Sequence, residues 1–283
     1  MFSSVFKTVR ASPGQAIRRH KLSARQIYNF RTLDRPNTRL LIGYNQRQEF
    51  ATIAPTITEI GGGPLKDKTR VGIIGARGYI GQTLIDLLDS HPRSRLTHIS
   101  SRELAGKPVP NYRKSSAVYE ELSPADVGML EAQKAVDCWV LALPNGLSGP
   151  YLAAIDIVAS RTDRSTVVVD LSADHRFDSS WTYGLAELVS RTDIARATRI
   201  ANPGCFATAA QLALTPISKF VGEQPTIFGV SGYSGAGTKP SPKNDLGFLR
   251  DNVVPYGVTD HIHEREISAR LGYPISFIPH VSS

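Results

Sequence analysis

The stretch that most constrains this chain is "RVGIIGARGYIGQTLIDLLDSHP", residues 70–92. Val71, Ile73 and Ile74 form a short apolar run closed by Gly75, the pattern of a buried strand. Gly75, Gly78 and Gly81 follow at intervals of three. Ile80, Leu84, Leu87 and Leu88 then recur at helical spacing, and "SHP" stops the helix. Glycines let the chain turn tightly and let its backbone approach a pyrophosphate, and the helix amino end offers free N–H groups to that anion. The spacing is GxxGxxG, not the commoner GxGxxG. Its position between a strand and a helix carries the dinucleotide-binding reading, against a glycine turn kept only for packing.

The next strand is "RLTHISS". An NAD enzyme usually places Asp or Glu at its end, for the ribose 2′-hydroxyl. Ser100, Ser101 and Arg102 stand there instead, and Glu103 comes one residue late. Two hydroxyls and a guanidinium suit a 2′-phosphate, so NADP is expected over NAD. Apolar strands "AVDCWVLALP", "STVVVDLS" and "TRIA" alternate with helical segments. The expected class is therefore α/β, a Rossmann-type doubly wound parallel sheet. Cys138, inside an apolar run, reads as a packed small hydrophobe. Pro144, Asn145 and Gly146 fall where a strand should end, on the ligand-binding edge of such a sheet.

Charge matters here by location. Of the formal +8, residues 1–60 carry +7, so basicity belongs to the amino-terminal region and not to a nucleic-acid-binding face. Residues 1–33 hold seven Lys/Arg, no acid and scattered hydroxyls, the pattern of a mitochondrial transit peptide. Residues 34–69, with "IGGGPLKDK", read as linker. No apolar run approaches the roughly 20 residues of a membrane span. Two cysteines form neither a disulfide framework nor a metal-ligand spacing, and no metal is expected.

Cys205, in "RIANPGCFATAAQLAL", opens a helix after a Pro-Gly turn. The positive end of a helix dipole favours an anionic thiolate nucleophile, and neighbouring N–H groups can hold an oxyanion. A structural cysteine is the alternative. "GVSGYSGAGTKPSPKN" gathers Ser234, Gly235 and Lys239 in a loop suited to an anionic substrate group. "DHIHEREISARL" reads as a helix opening at Asp260. His261 and His263 are both candidate general bases, and Glu266 is three residues from His263.

The ordered set "GARGYIGQTLIDLL", "SSRELAGK", "LALPNG", "VVDLSADHRF", "YGLAEL", "NPGCFATAAQLAL", "SGYSGAGTKPSPKN" and "DHIHEREIS" resembles the N-acetyl-gamma-glutamyl-phosphate reductases, the NADP-dependent enzymes of arginine biosynthesis. The likeness runs from about Arg70 to Val281, nearest to the reductase half of the mitochondrial kinase–reductase precursor. It implies a cofactor domain over 70–205 and an α+β substrate domain over 206–283; as departures from the family, that second domain is expected to be partial and no kinase domain is expected ahead of the reductase region. It implies that Cys205 attacks an acyl phosphate and that the acid/base is one of the pair His261 and His263; His263 is favoured here because Glu266 could orient it. It also implies cofactor contacts from Gly75, Arg77, Gly78, Tyr79, Ile80, Gly81 and Ser172, and substrate contacts from Asn202, Ser234, Gly235 and Lys239. A homo-oligomer or association with acetylglutamate kinase, in the mitochondrial matrix, is expected. The other class left open is a catalytically poor chain that binds NADP(H) or a partner.

Overall fold

The computed structural model describes residues 68–162 and 165–283. The expected transit segment, 1–33, and residues 34–67 of the expected linker lie outside the described residues.

Alternating buried strands and half-buried helices build a six-stranded sheet, all parallel. In chain order its elements are β1 (Thr69–Ile74), α1 (Tyr79–Ser90), β2 (Ser94–Ser100), α2 (Pro124–Ala132), β3 (Cys138–Leu141), α3 (Gly149–Thr162), β4 (Val167–Asp170), β5 (Thr182–Tyr183), α4 (Arg191–Arg196) and β6 (Arg199–Ala201). The order across the sheet is β2-β1-β3-β4-β6-β5. The chain leaves β1 to one side for β2 and returns to the other for β3. The crevice at the carboxyl ends of β1 and β3 is thus the topological switch point, where such sheets hold ligands.

Local chemistry sets the helices. Gly78 precedes α1 in extended conformation, and α1 buries Gly81 and Ile85. It ends at His91, whose extended backbone (ψ 121°) suits the residue before Pro92. Ser123 and Asp126 form a reciprocal capping box on α2, with Pro124 at its first turn. Two apolar clusters hold the sheet. One joins Val71, Ile73, Ile85, Leu96, Ile99 and Val140. The other joins Ile74, Val127, Trp139, Leu141, Ile155 and Val168. Each large side chain buried in this way contributes about 1.5–3 kcal/mol.

The remaining elements are α5 (Cys205–Leu214), β7 (Thr226–Gly232), α6 (Leu246–Leu249), β8 (Val253–Pro255), α7 (Ile262–Leu271) and β9 (Ser276–Ser282). β9 lies between parallel β7 and antiparallel β8. One face of this small sheet packs Phe277 and Ile227 against Ala207 and Ala210 of α5 and Ile267 of α7. The other face presents Phe228 beside Ile278 and Val230 beside His280. Phe228 and Val230 are 62% and 49% exposed, so that face is bare in a single chain.

Sequence and structure differ at the start of α7. Asp260 was expected to open the helix, but it lies outside it at φ +52°. His261 is the cap, its Nδ1 accepting from the His263 amide at 3.1 Å.

Gly72 gives a test of the packing. A Cβ there would lie 2.5 Å from Cε3 of Trp139, which is fully buried and whose Nε1 donates to Glu131 at 3.1 Å. The indole therefore has little room to give. Gly72→Ala is expected to cost about 1–3 kcal/mol of unfolding free energy, read from urea midpoints.

Candidate active site

Cys205 is the first residue of α5 and is exposed. Gly204 caps the helix without a side chain, and the first intrahelical bond of the turn is Thr208 N to Gly204 O at 2.8 Å. The N–H groups opening α5 are those a helix leaves without intrahelical partners. Thiol and oxyanion donors therefore share one helix end.

The turn before the thiol is held from three directions. Asn202 N donates to Asp170 O at 2.8 Å. Arg176 Nε donates to Asn202 O at 2.9 Å. Gly204 N donates to Glu266 Oε1 at 3.0 Å. Arg176 and Glu266 are themselves paired at 3.0 Å with both side chains buried. The Tyr183 hydroxyl, at 2.7 Å, completes the set around Glu266. Burial holds the Tyr183 phenol above its usual value, with Glu266 acting in the same direction and the Gln211 amide opposing. It is thus a proton donor at physiological pH. Sequence reading missed Arg176, Tyr183 and Gln211. "DHRF" and "YGLAEL" were noted as motifs, but nothing in them signals partners on a distant helix.

This arrangement corrects the expected role of Glu266. Its carboxylate takes Arg176, Tyr183 and the Gly204 amide. No hydrogen bond joins it to His263 among the described residues, where His263 Nδ1 is buried without a partner. Glu266 reaches that imidazole only through its charge.

His263 nevertheless packs against the turn that precedes Cys205. A Cβ on Gly204 would lie 2.5 Å from its Cδ2, with Nε2 closer still. The imidazole, with Arg176 Nη1 at 2.7 Å, fills the space a side chain on Gly204 would take, one residue from the thiol, so any larger residue there must displace them. Burial pushes His263 down from 6.5 to about 4, with Glu266 opposing and His261 and Arg176 adding to the fall. The ring is neutral near pH 7. His261 packs beside it with centroids 5.0 Å apart. Burial lowers His261 as well, with Glu264 opposing and Lys243 assisting. Because His261 Nδ1 accepts from a backbone amide, the neutral ring carries its proton on Nε2.

Two further residues join this cluster unannounced by the sequence. Burial raises the Tyr256 phenol, with the Ser231 hydroxyl opposing and the Cys205 charge adding to the rise, and its ring centroid lies 5.8 Å from that of His261. Lys243 Nζ lies 5.0 Å above the Tyr256 ring. Lys239, the expected cation, is exposed on its loop, and its carbonyl accepts from Asn244 Nδ2 at 2.8 Å. Asn244 also holds Gly237 O at 2.8 Å, shaping the loop after Ser234 and Gly235. This loop and Tyr79 line an open cleft of about 890 Å³.

The switch-point crevice fits a dinucleotide. Gly75 has φ +88°, and a Cβ on it would lie 2.9 Å from the carbonyl carbon of Ala142 at the end of β3. Over Gly78 a Cβ would meet nothing within 4 Å, so the amino end of α1 is open. Tyr79 and Ile80 are exposed in its first turn, and Gly81 packs under it against Ala76. Arg77 and Arg102 are both exposed at the crevice edge, with Arg77 bonded to Glu103 at 2.7 Å. They are the cations available to a 2′-phosphate. The expected hydroxyls are engaged within the fold. Ser100 Oγ accepts from Leu122 N at 3.2 Å, and Ser101 Oγ accepts from Leu104 N at 3.3 Å. Ser172 Oγ donates to Asp170 at 2.6 Å and accepts from Asp174 N at 3.1 Å. All three serines are buried, and these bonds tie them into the rim of the crevice. Asn145 Oδ1 accepts from Ala173 N, and Gly146 N donates to Asp174, bracing the loop after Pro144. No group of three His, Cys, Asp or Glu is placed to hold a metal among the described residues.

Comparison with known proteins agrees with this geometry. Profiles of the semialdehyde dehydrogenase NAD binding domain and dimerisation domain match residues 70–197 and 205–283. The chain is 49% identical over 264 residues to "Protein arg-6, mitochondrial" of Neurospora crassa, covering 93% of this chain and 30% of that one. It is 52% identical over 216 residues to an N-acetyl-gamma-glutamyl-phosphate reductase of Xylella fastidiosa, covering 75% and 62%. The chain therefore spans under two thirds of these relatives. Among solved structures, aspartate semialdehyde dehydrogenase II of Vibrio cholerae aligns with TM-score 0.57 at 18% identity, over 76% of this chain and 70% of that one. An aspartate semialdehyde dehydrogenase of Candida albicans, solved with NADP, aligns at 0.52 and 16% identity, over 76% and 68%. These likenesses show the fold. With both profiles matched in order along one chain, this protein belongs to the semialdehyde dehydrogenase family.

Proposed function

We propose that the chain carries the NADPH-dependent reduction of N-acetyl-L-glutamyl 5-phosphate to N-acetyl-L-glutamate 5-semialdehyde and phosphate, in arginine biosynthesis. The observation that carries this reading is the neutral His263 seated on Gly204, beside an exposed thiol at the start of α5. Identity to named reductases supports the substrate. Residues 70–205 are assigned to the cofactor and 206–283 to the substrate.

The chemistry follows from the groups present. His263 takes the proton of Cys205 as sulfur attacks the acyl carbon. The N–H groups opening α5 hold the oxyanion while the carbon–oxygen bond to phosphate breaks, leaving a thioester. NADPH, when bound, supplies hydride for reduction of that thioester. The same N–H groups then hold the tetrahedral oxygen as the carbon–sulfur bond breaks and the aldehyde leaves. Lys243, Tyr256 and the Nε2–H of His261 are assigned to the anionic groups of the substrate.

A second copy of the chain is the assigned partner of the small sheet. Its bare face carries Phe228, Val230 and Ile278, and the matched profile is named for dimerisation. Association with acetylglutamate kinase remains part of the proposal. Location in the mitochondrial matrix rests on the basic first 33 residues and on relatives named mitochondrial. The 264-residue match to the Neurospora protein is too long to be confined to residues 70–283.

Four outcomes test the reading. Purified chain is expected to oxidise NADPH with the acyl phosphate, and to reduce NADP with semialdehyde plus phosphate. Cys205→Ser abolishes both while cofactor still binds; turnover by that variant would sink the thioester route. kcat is expected to stay flat through neutral pH down to about 5, because the base must be neutral and burial delays its protonation. The acid limb then falls near the value of about 4 held by His263. A limb centred on 6.5 would assign the base elsewhere. Gly204→Ala displaces His263 and is expected to lower kcat by about 10²-fold, with far less change in NADPH binding.

A further inference from the structure

Tyr183 ends β5, on the far edge of the parallel sheet, and is 4% exposed. Its hydroxyl accepts from Gln211 Nε2 at 2.7 Å. Gln211 supplies only donors there, so the single phenolic proton is directed to Glu266 Oε1, also at 2.7 Å. That same oxygen receives the Gly204 amide at 3.0 Å. The guanidinium of Arg270, from α7, lies 3.9 Å above the Tyr183 ring, and its Nη2 donates to Arg176 O. The ring is fixed from above and the hydroxyl from both sides. Glu266 keeps one carboxylate oxygen on Arg176 and the other shared between Tyr183 and Gly204.

We propose that Tyr183 is a positioning residue for Cys205: its hydroxyl sets the Glu266 carboxylate to receive the Gly204 amide, and so fixes the turn from which the thiol projects. The proposal rests on Cys205 being the nucleophile. It makes the seating of α7, which carries both histidines, and the geometry of the thiol one event. A residue at the outer edge of the cofactor sheet thereby acts on the chemistry without touching substrate.

Tyr183→Phe is the informative variant, because it keeps the ring and its stacking on Arg270 and removes only the hydroxyl. Two readouts on the full chain need no turnover. Hydrogen exchange of residues 202–208 is expected to speed about tenfold, with β1 and β3 unchanged. Alkylation of Cys205 by iodoacetamide is expected to slow about threefold as the first turn of α5 frays. Cys138, its thiol pushed up to about 11 by burial, is the slow internal reference. Ile155→Val, in the core of the parallel sheet, is the control for general destabilisation. It should lower Tm without either local effect. With the acyl phosphate, kcat is expected to fall about tenfold in Tyr183→Phe while KM stays within about twofold. Wild-type exchange and alkylation in Tyr183→Phe would overturn the proposal, as would exchange accelerated equally in β1 and β3. A wild-type chain that turns over no NADPH, beside a variant with both local effects, would instead sink the reductase reading and leave the positioning role standing.

Discussion

The buried pair of Arg176 and Glu266 is the contact on which the site depends. Charges taken out of water are tolerated only when nearly every polar atom is satisfied, and removing one partner of such a pair costs about 3–5 kcal/mol. Here Arg176 spends its donors on Glu266, Asn202 O and Leu171 O. Glu266 takes Arg176, Tyr183 and the Gly204 amide. Three separate segments therefore meet at one turn: the loop after β4, the edge strand β5 and helix α7. The bonds link residues 62 to 90 positions apart. The turn they hold carries the Cys205 thiol, which is exposed at the end of a braced segment.

Around that clasp, polar groups divide by burial. Glu266 is inside and holds backbone, whereas Cys205 is outside and free to react. Between them lies His263, buried enough to remain neutral and close enough to press on Gly204. The cofactor crevice follows the same logic. Ser100, Ser101 and Ser172 turn inward and fix the rim, while Arg102 and the Glu103-paired Arg77 stay exposed. Hydroxyls can bond to nearby backbone, whereas a guanidinium stays at the surface unless it is paired.

Short-range signals made much of this legible. The strand–glycine–helix unit, the alternation of β and α and the Pro-Gly-Cys turn each lie within a few residues, where sterics and dipoles act. Other features were hidden for a physical reason. A serine pattern does not say which way its hydroxyls point, and the bonds of Ser100, Ser101 and Ser172 to the rim come from packing. Glu266 stands three residues from His263 on one helix, yet packing turned its carboxylate to Gly204. Lys243 and not Lys239 came to lie over Tyr256, because Asn244 folds the intervening loop back on itself.

The sequence by itself determined the class of fold, the place of the glycine turn after β1 and the position of Cys205 at the opening of a helix. These rest on local rules: hydrophobic period, glycine conformations and the amino ends of helices. Only the tertiary structure decided which residues hold the turn before Cys205, which histidine presses on that turn and which cations stay exposed. Those choices depend on contacts between distant segments and on the desolvation that accompanies them. Burial takes water away from Glu266 and His263, and their surroundings are fixed only once β5, α5 and α7 have packed together.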